Sequence, residues 1–255
     1  MARKFQKRKF RKGRTKKRSK VSKGLAKSIK KVMQRNAEKK QGFTGISAVA
    51  FNSGINSVAD IQTLMPGMAQ GVGDNARVGD NIRATSLTIR GFITSNLFFN
   101  TNAQCRLGIR MMIVQPKGCA NYTSIVANAT TWQAGLLKRG GTTVGFTGIV
   151  ADLMTPINTD LITTYMDKVY YINTPYMQTA VGTAPTINSV KFFTKVFKLK
   201  NKLLRYDINE NSGLTPTNFY PVLVMGYCHL DGSGPDTVST QISLTYDSVL
   251  NYTDY

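Results

Sequence analysis

Positive charge is confined to one end of this chain, and that sets a limit on which part of it can fold. Of the 34 Lys and Arg residues, 19 lie within residues 1–40, beside one acidic residue, Glu38. The rest of the 255-residue chain holds 15 basic and 12 acidic residues. Most of the formal net charge of +21 therefore sits on an arm of +18, and the body that follows is close to neutral.

Residues 3–20 read RKFQKRKFRKGRTKKRSK. Twelve of these eighteen are cations: Arg3, Lys4, Lys7, Arg8, Lys9, Arg11, Lys12, Arg14, Lys16, Lys17, Arg18 and Lys20. Charges this dense repel one another, and little apolar surface is present to offset the entropy of ordering. The arm is expected to be disordered in the free protein. A polyphosphate is its natural partner, because neutralising phosphates releases condensed counterions. Phe5 and Phe10 stand among the cations, where they can stack on unpaired bases or lie idle. The competing partners for such a run are a nuclear import receptor and an anionic membrane surface. The import receptor is expected as a second use of the same residues, and no membrane partner is expected. In residues 21–40, Val21, Leu25, Ile29, Val32 and Met33 fall at helical spacing among Lys and Arg. They fit a short basic amphipathic helix or a frayed continuation of the arm. Gly42 and Gly45 then mark a boundary, giving an arm over 1–42 and a body over 43–255.

The body is rich in Thr, Val, Ile, Phe, Tyr, Asn and Gly, the residues of strands and turns. Leu87, Ile89, Gly91 and Ile93 alternate with Thr88 and Arg90. Leu107, Ile109, Met111 and Ile113 alternate with Arg106, Gly108 and Arg110, which places Arg110 on the polar face. Ile242, Leu244, Tyr246, Leu250 and Tyr252 alternate with Ser243, Thr245, Asp247 and Asn251. Segments 46–51, 167–173 and 190–199 are shorter or mixed strands, and 202–206 adds a short one. Residues 219–230, FYPVLVMGYCHL, predict a strand buried on both faces. The count is near eight, so the expected fold is all-β, an eight-stranded jelly-roll sandwich. Residues 116–166 are expected to be a long insertion between strands, with short helices near 124–138 and 148–154, exposed or used between subunits.

No catalytic constellation assembles, and no enzymatic activity is expected. The one histidine, His229, lies in the apolar run, where a core or interface role is expected. Neither a phosphate loop nor a nucleophile elbow is present. Cys105, Cys119 and Cys228 are too few and too widely spaced for a disulfide framework or a zinc site, so reduced thiols and no cofactor are expected. Two oxygen-rich clusters, Asp74/Asn75/Asp80/Asn81 and Asp231/Asp236, suit turns, with a hard cation between subunits as the alternative. The first residues lack a secretory pattern, and no run of apolar residues is long enough to span a membrane, so residence in cytosol or nucleus is expected.

Several segments, taken in order, resemble the single-jelly-roll capsid proteins of small circular Rep-encoding single-stranded DNA viruses (CRESS-DNA viruses). They are the basic arm and Val78-Gly79-Asp80-Asn81-Ile82-Arg83 leading into Leu87–Ile93. Next come Thr155-Pro156-Ile157-Asn158-Thr159-Asp160 followed by Asp167-Lys168-Val169-Tyr170, the Lys-rich stretch Lys191–Lys202, and Tyr246-Asp247-Ser248-Val249 near Asp254. The resemblance implies a virion protein that passes through the host nucleus and self-assembles into an icosahedral shell, with the arms turned toward genomic single-stranded DNA. The smallest such shell has about 60 copies. Arms of +18 would then supply roughly 1,000 positive charges, on the order of the phosphates in a genome of a few kilobases or less. Phosphate contacts do not tell DNA from RNA. A coat protein of a small positive-strand RNA or satellite virus is therefore the alternative. A cellular basic nucleic-acid-binding protein is the alternative of another class.

Overall fold

The computed structural model of the chain describes residues 22–36, 38–73, 75–97, 106–173, 187–209, 213–232, 235 and 242–254. The chain divides into two units between Ala37 and Glu38. The first contains helix α1 (Lys23–Asn36). Ser22 caps it, its Oγ accepting the Leu25 N–H at 3.2 Å and its carbonyl the Ala26 N–H at 3.0 Å. Leu25, Ile29 and Val32 form a stripe along α1, and all three are exposed.

The second unit is mostly strand, and every strand pairing in it is antiparallel. Its strands are β1 (Glu38–Phe51), β2 (Ile61–Thr63), β3 (Asn81–Leu97), β4 (Arg106–Pro116), β5 (Leu137–Arg139), β6 (Thr142–Val144), β7 (Ile162–Asn173), β8 (Ile187–Arg205), β9 (Val222–His229) and β10 (Ile242–Asp254). One sheet has the order β1-β10-β3-β8 and another β2-β9-β4-β7, while β5 and β6 form a hairpin. The pairs nest: β1 with β10, β2 with β9, β3 with β8, β4 with β7. The body is thus one long antiparallel ribbon doubled back between β4 and β7. Two further ladders, β10 with β3 and β9 with β4, close the ribbon into two sheets.

Period-two alternation works as expected in the first sheet. Leu87, Ile89 and Ile93 of β3 and Leu244, Tyr246 and Leu250 of β10 are buried. They share one apolar core with Ile109 and Met111 of β4 and with β9. Each large apolar side chain buried there contributes about 1.5–3 kcal/mol. The sheets are tied by rings, Tyr170 with Phe193 at 6.5 Å and Tyr165 edge-on to Phe197 at 6.4 Å between centroids. They are tied again where Ser248 Oγ donates to the Leu64 carbonyl at 2.7 Å. As expected for a strand with two covered faces, β9 is buried along its whole length.

Three expectations need revision. β1 starts at Glu38, inside the 1–42 segment, because Glu38–Gly42 pair with Leu250–Asp254. Residues 202–206 do not add a separate strand: β8 runs on to Arg205 through an irregularity at Lys200 and Asn201, both left-handed (φ 52° and 59°). Arg110 does not face solvent. β4 is buried on both faces, since the insertion after it folds back over the outer face of the second sheet.

That insertion contains α2 (Tyr122–Ala127), α3 (Ala129–Ala134), the β5–β6 hairpin and α4 (Val150–Met154). It is not simply an exposed loop, because Ile125, Trp132, Leu136, Phe146 and Leu153 are buried. Two sheet glycines explain the fit. A Cβ on Gly226 would strike the Phe146 ring, and one on Gly108 would strike Leu153. Both ridges settle where the sheet has no side chain, and the Ile55 N–H fixes the first by donating to the Phe146 carbonyl at 2.9 Å.

Candidate nucleic-acid interface

All twelve cations assigned to nucleic-acid binding, Arg3 to Lys20, lie outside the described residues, as do Phe5 and Phe10. The described structure begins just after them. Helix α1 contains Lys23, Lys27, Lys30, Lys31 and Arg35 and no acid.

In the body the cations fall into two groups. The first is used internally. The Arg110 guanidinium meets Asp167 through Nε at 2.8 Å and Nη2 at 2.6 Å, and Nη1 donates to the Thr155 carbonyl at 2.6 Å. Arg139 pairs with buried Asp152 at 2.6 Å, and the same carboxylate accepts backbone N–H groups from Thr147 and Gly148. Arg77 donates to Asp80 and to the Gly213 carbonyl, and lies over the Tyr206 ring at 4.7 Å. Buried Lys40 lies 3.8 Å from Asp254 and donates to the Ala76 carbonyl. Lys138 pairs with exposed Asp160 at 2.7 Å, and the lysine holds that carboxyl below the usual range. These groups set geometry and are not available to a ligand.

The second group is unengaged. Among the described residues, no ion pair or side-chain hydrogen bond holds Lys39, Arg90, Lys191, Lys198, Lys200 or Arg205. These six lie on strands of the first sheet, and among the described residues Arg106, exposed on β4 of the second, is likewise held by no ion pair or side-chain hydrogen bond. β8 alone has Lys191, Lys195, Lys198, Lys200, Lys202 and Arg205 without an acid. Lys202 differs from the others: its ammonium sits 3.8 Å from the Phe219 ring centre, and burial lowers its pKa. The sequence marks 191–202 as Lys-rich but does not show which of these side chains are left free. That depends on the register between β3 and β8.

The remaining candidates take structural roles. His229 is buried with its ring 6.2 Å from Tyr227. Cys119 and Cys228 are buried free thiols, and Cys105 lies outside the described residues. Asp80 is occupied by Arg77, while Asp74 and Asp236 lie outside the described residues. Among the described residues, no three His, Cys, Asp or Glu side chains gather to hold a metal ion. No family model matches the chain, and no curated protein matches it.

Proposed function

We propose that this chain is a viral coat protein that assembles into an icosahedral shell and packages single-stranded DNA through its basic N-terminal arm. The observation that carries the reading is the segregation of charge. A polycation of +18 precedes a nearly neutral β body, which suits bulk neutralisation of a uniformly charged partner rather than recognition of a sequence. The nested ribbon supports a jelly roll: pairs 1–10, 2–9, 3–8 and 4–7 wound into sheets of order β1-β10-β3-β8 and β2-β9-β4-β7 follow the double Greek key of capsid domains. The insertion that seals one sheet, and the absence of an acid from β8, fit a subunit that meets neighbours on some surfaces and polyanion on others.

The test is negative-stain imaging of the expressed protein, with the co-purified nucleic acid treated separately with DNase and RNase. Closed shells with DNase-sensitive cargo are expected. RNase-sensitive cargo would reassign the chain to an RNA virus coat. Monomers alone, at low salt and with nucleic acid present, would sink the coat-protein reading.

A further inference from the structure

The outer face of the first sheet presents aromatic rings and free cations in register. Phe192 of β8 stands directly opposite Phe92 of β3, with ring centres 5.9 Å apart and planes tilted by 57°. Gly91 beside them points into the core, where a Cβ would strike Tyr246, so Phe92 and Phe192 face outward. Phe192 is 75% exposed. The next rung holds Arg90, the one after it Val196, and the one after that Lys198. Successive rungs on one face lie about 6.8 Å apart, the reach of one extended nucleotide. Across β10, Phe43 of β1 adds a third exposed ring, 53% open to solvent.

Exposed rings in such numbers call for a partner. Charge decides which. Arg90 lies one rung and Lys198 three rungs to the same side of the rings, both are unengaged, and the edge strand carries no acid. A second copy packed with its β8 against this β8 would set cations against cations. Asp247 stands opposite Arg90, yet its carboxylate leans over Gly45, leaving the guanidinium free. A partner with negative charge and open π-faces satisfies both features, whereas a duplex hides its base faces within the stack.

We infer that the outer face of β3 and β8 is a stacking platform for single-stranded nucleic acid, with Phe192 and Phe92 under bases, Arg90 on the adjacent phosphate and Lys198 on a phosphate farther along the same strand. This rests on the packaging reading and gives the body, as well as the arm, a direct contact with the cargo. The arm supplies charge without regard to strandedness. The platform supplies the preference for unpaired bases.

The full chain offers a clean probe. Its one natural tryptophan, Trp132, is 4% exposed, so Phe192→Trp places a second indole on an open surface. A thymidylate oligomer, a duplex of equal length and an abasic oligomer are titrated in turn, with anisotropy of the labelled oligomer reporting total binding. Saturable quenching of the new indole by thymidylate, absent with the other two although both bind, is the expected result. Phe192→Ala is expected to weaken thymidylate binding about tenfold at high salt and leave the abasic oligomer unchanged. Thymidylate binding without quenching overturns the platform and leaves the packaging reading intact. A concentration-dependent blue shift without nucleic acid also overturns it, because the face is then buried against another copy. No anisotropy change with any oligomer brings down both readings together.

Discussion

At Arg110 a guanidinium that is 3% exposed in its side chain forks onto Asp167, itself 34% exposed, and caps the carbonyl of Thr155. The pair joins β4 to β7, and the carbonyl contact ties both to the end of α4. Truncating one partner of such a pair leaves charge and carbonyl groups without their donor. We expect Arg110→Ala to cost about 3–5 kcal/mol, read as a drop in the urea midpoint. Arg110→Lys keeps the charge but loses the fork, and should recover only part of that loss. A midpoint unchanged in Arg110→Ala would show that the guanidinium is a spectator. The residue also marks where alternation misleads. A charged side chain among Leu, Ile and Met predicts a solvent face, and only a distant carboxylate and backbone carbonyls make burial tolerable. Neither is visible from β4 itself.

Elements differ in how plainly the sequence announces them. β3 and β10 alternate because one face meets the core and the other does not. β9 reads as continuous apolar sequence because both of its faces are covered. The insertion is harder to read, since its packing depends on two glycines in strands it does not adjoin in sequence. Gly108 and Gly226 look like weak points in β4 and β9 until Leu153 and Phe146 are placed above them. Gly226→Val should lift the Phe146 ridge and cost about 1–3 kcal/mol. Limited proteolysis should then open new cleavage sites within residues 117–161, leaving β8 and β10 protected. Cleavage no faster than in the wild type would mean that the insertion is held by other contacts. The arm is legible only as charge. On the packaging reading its twelve cations are interchangeable, and no local pattern in the sequence ranks one above another. Arg90 and Lys198 are a different case: their positions are in the sequence, but their shared face comes from the β3–β8 register that also sets Phe92 opposite Phe192.

For the molecule as a whole, charge and fold meet at residue 38. Removing residues 1–37 should leave the thermal midpoint of the body unchanged while abolishing nucleic-acid packaging. Removing residues 1–42 also strips the Glu38–Gly42 rungs and the contacts of Lys40 with Asp254 and Ala76, and should lower the midpoint by about 4 °C or more. Equal midpoints for the two truncations would contradict the role given to the start of β1. The core also sets an alkaline limit. Burial pushes the Cys228 thiol up to about 11 from 9.0 and the Tyr252 hydroxyl up to about 12 from 10.0. In both, the unfolded chain loses its proton first. This contribution to stability is therefore complete below pH 9 and is lost as pH rises through 9 to 12. The urea midpoint should fall across that window; a flat profile would mean the two groups ionise equally well in the folded state.

Nesting has a consequence in time. β10 lies between β1 and β3, so the first sheet lacks its middle strand until residues 242–254 have been made. β1 waits for a partner lying at the other end of the chain. At about 5–20 residues per second, synthesis separates the two by on the order of ten seconds or more. The polycation emerges first and spends that interval attached to a body that cannot yet close. On the packaging reading proposed above, any RNA it binds in that interval has to be exchanged for the cargo before a shell closes.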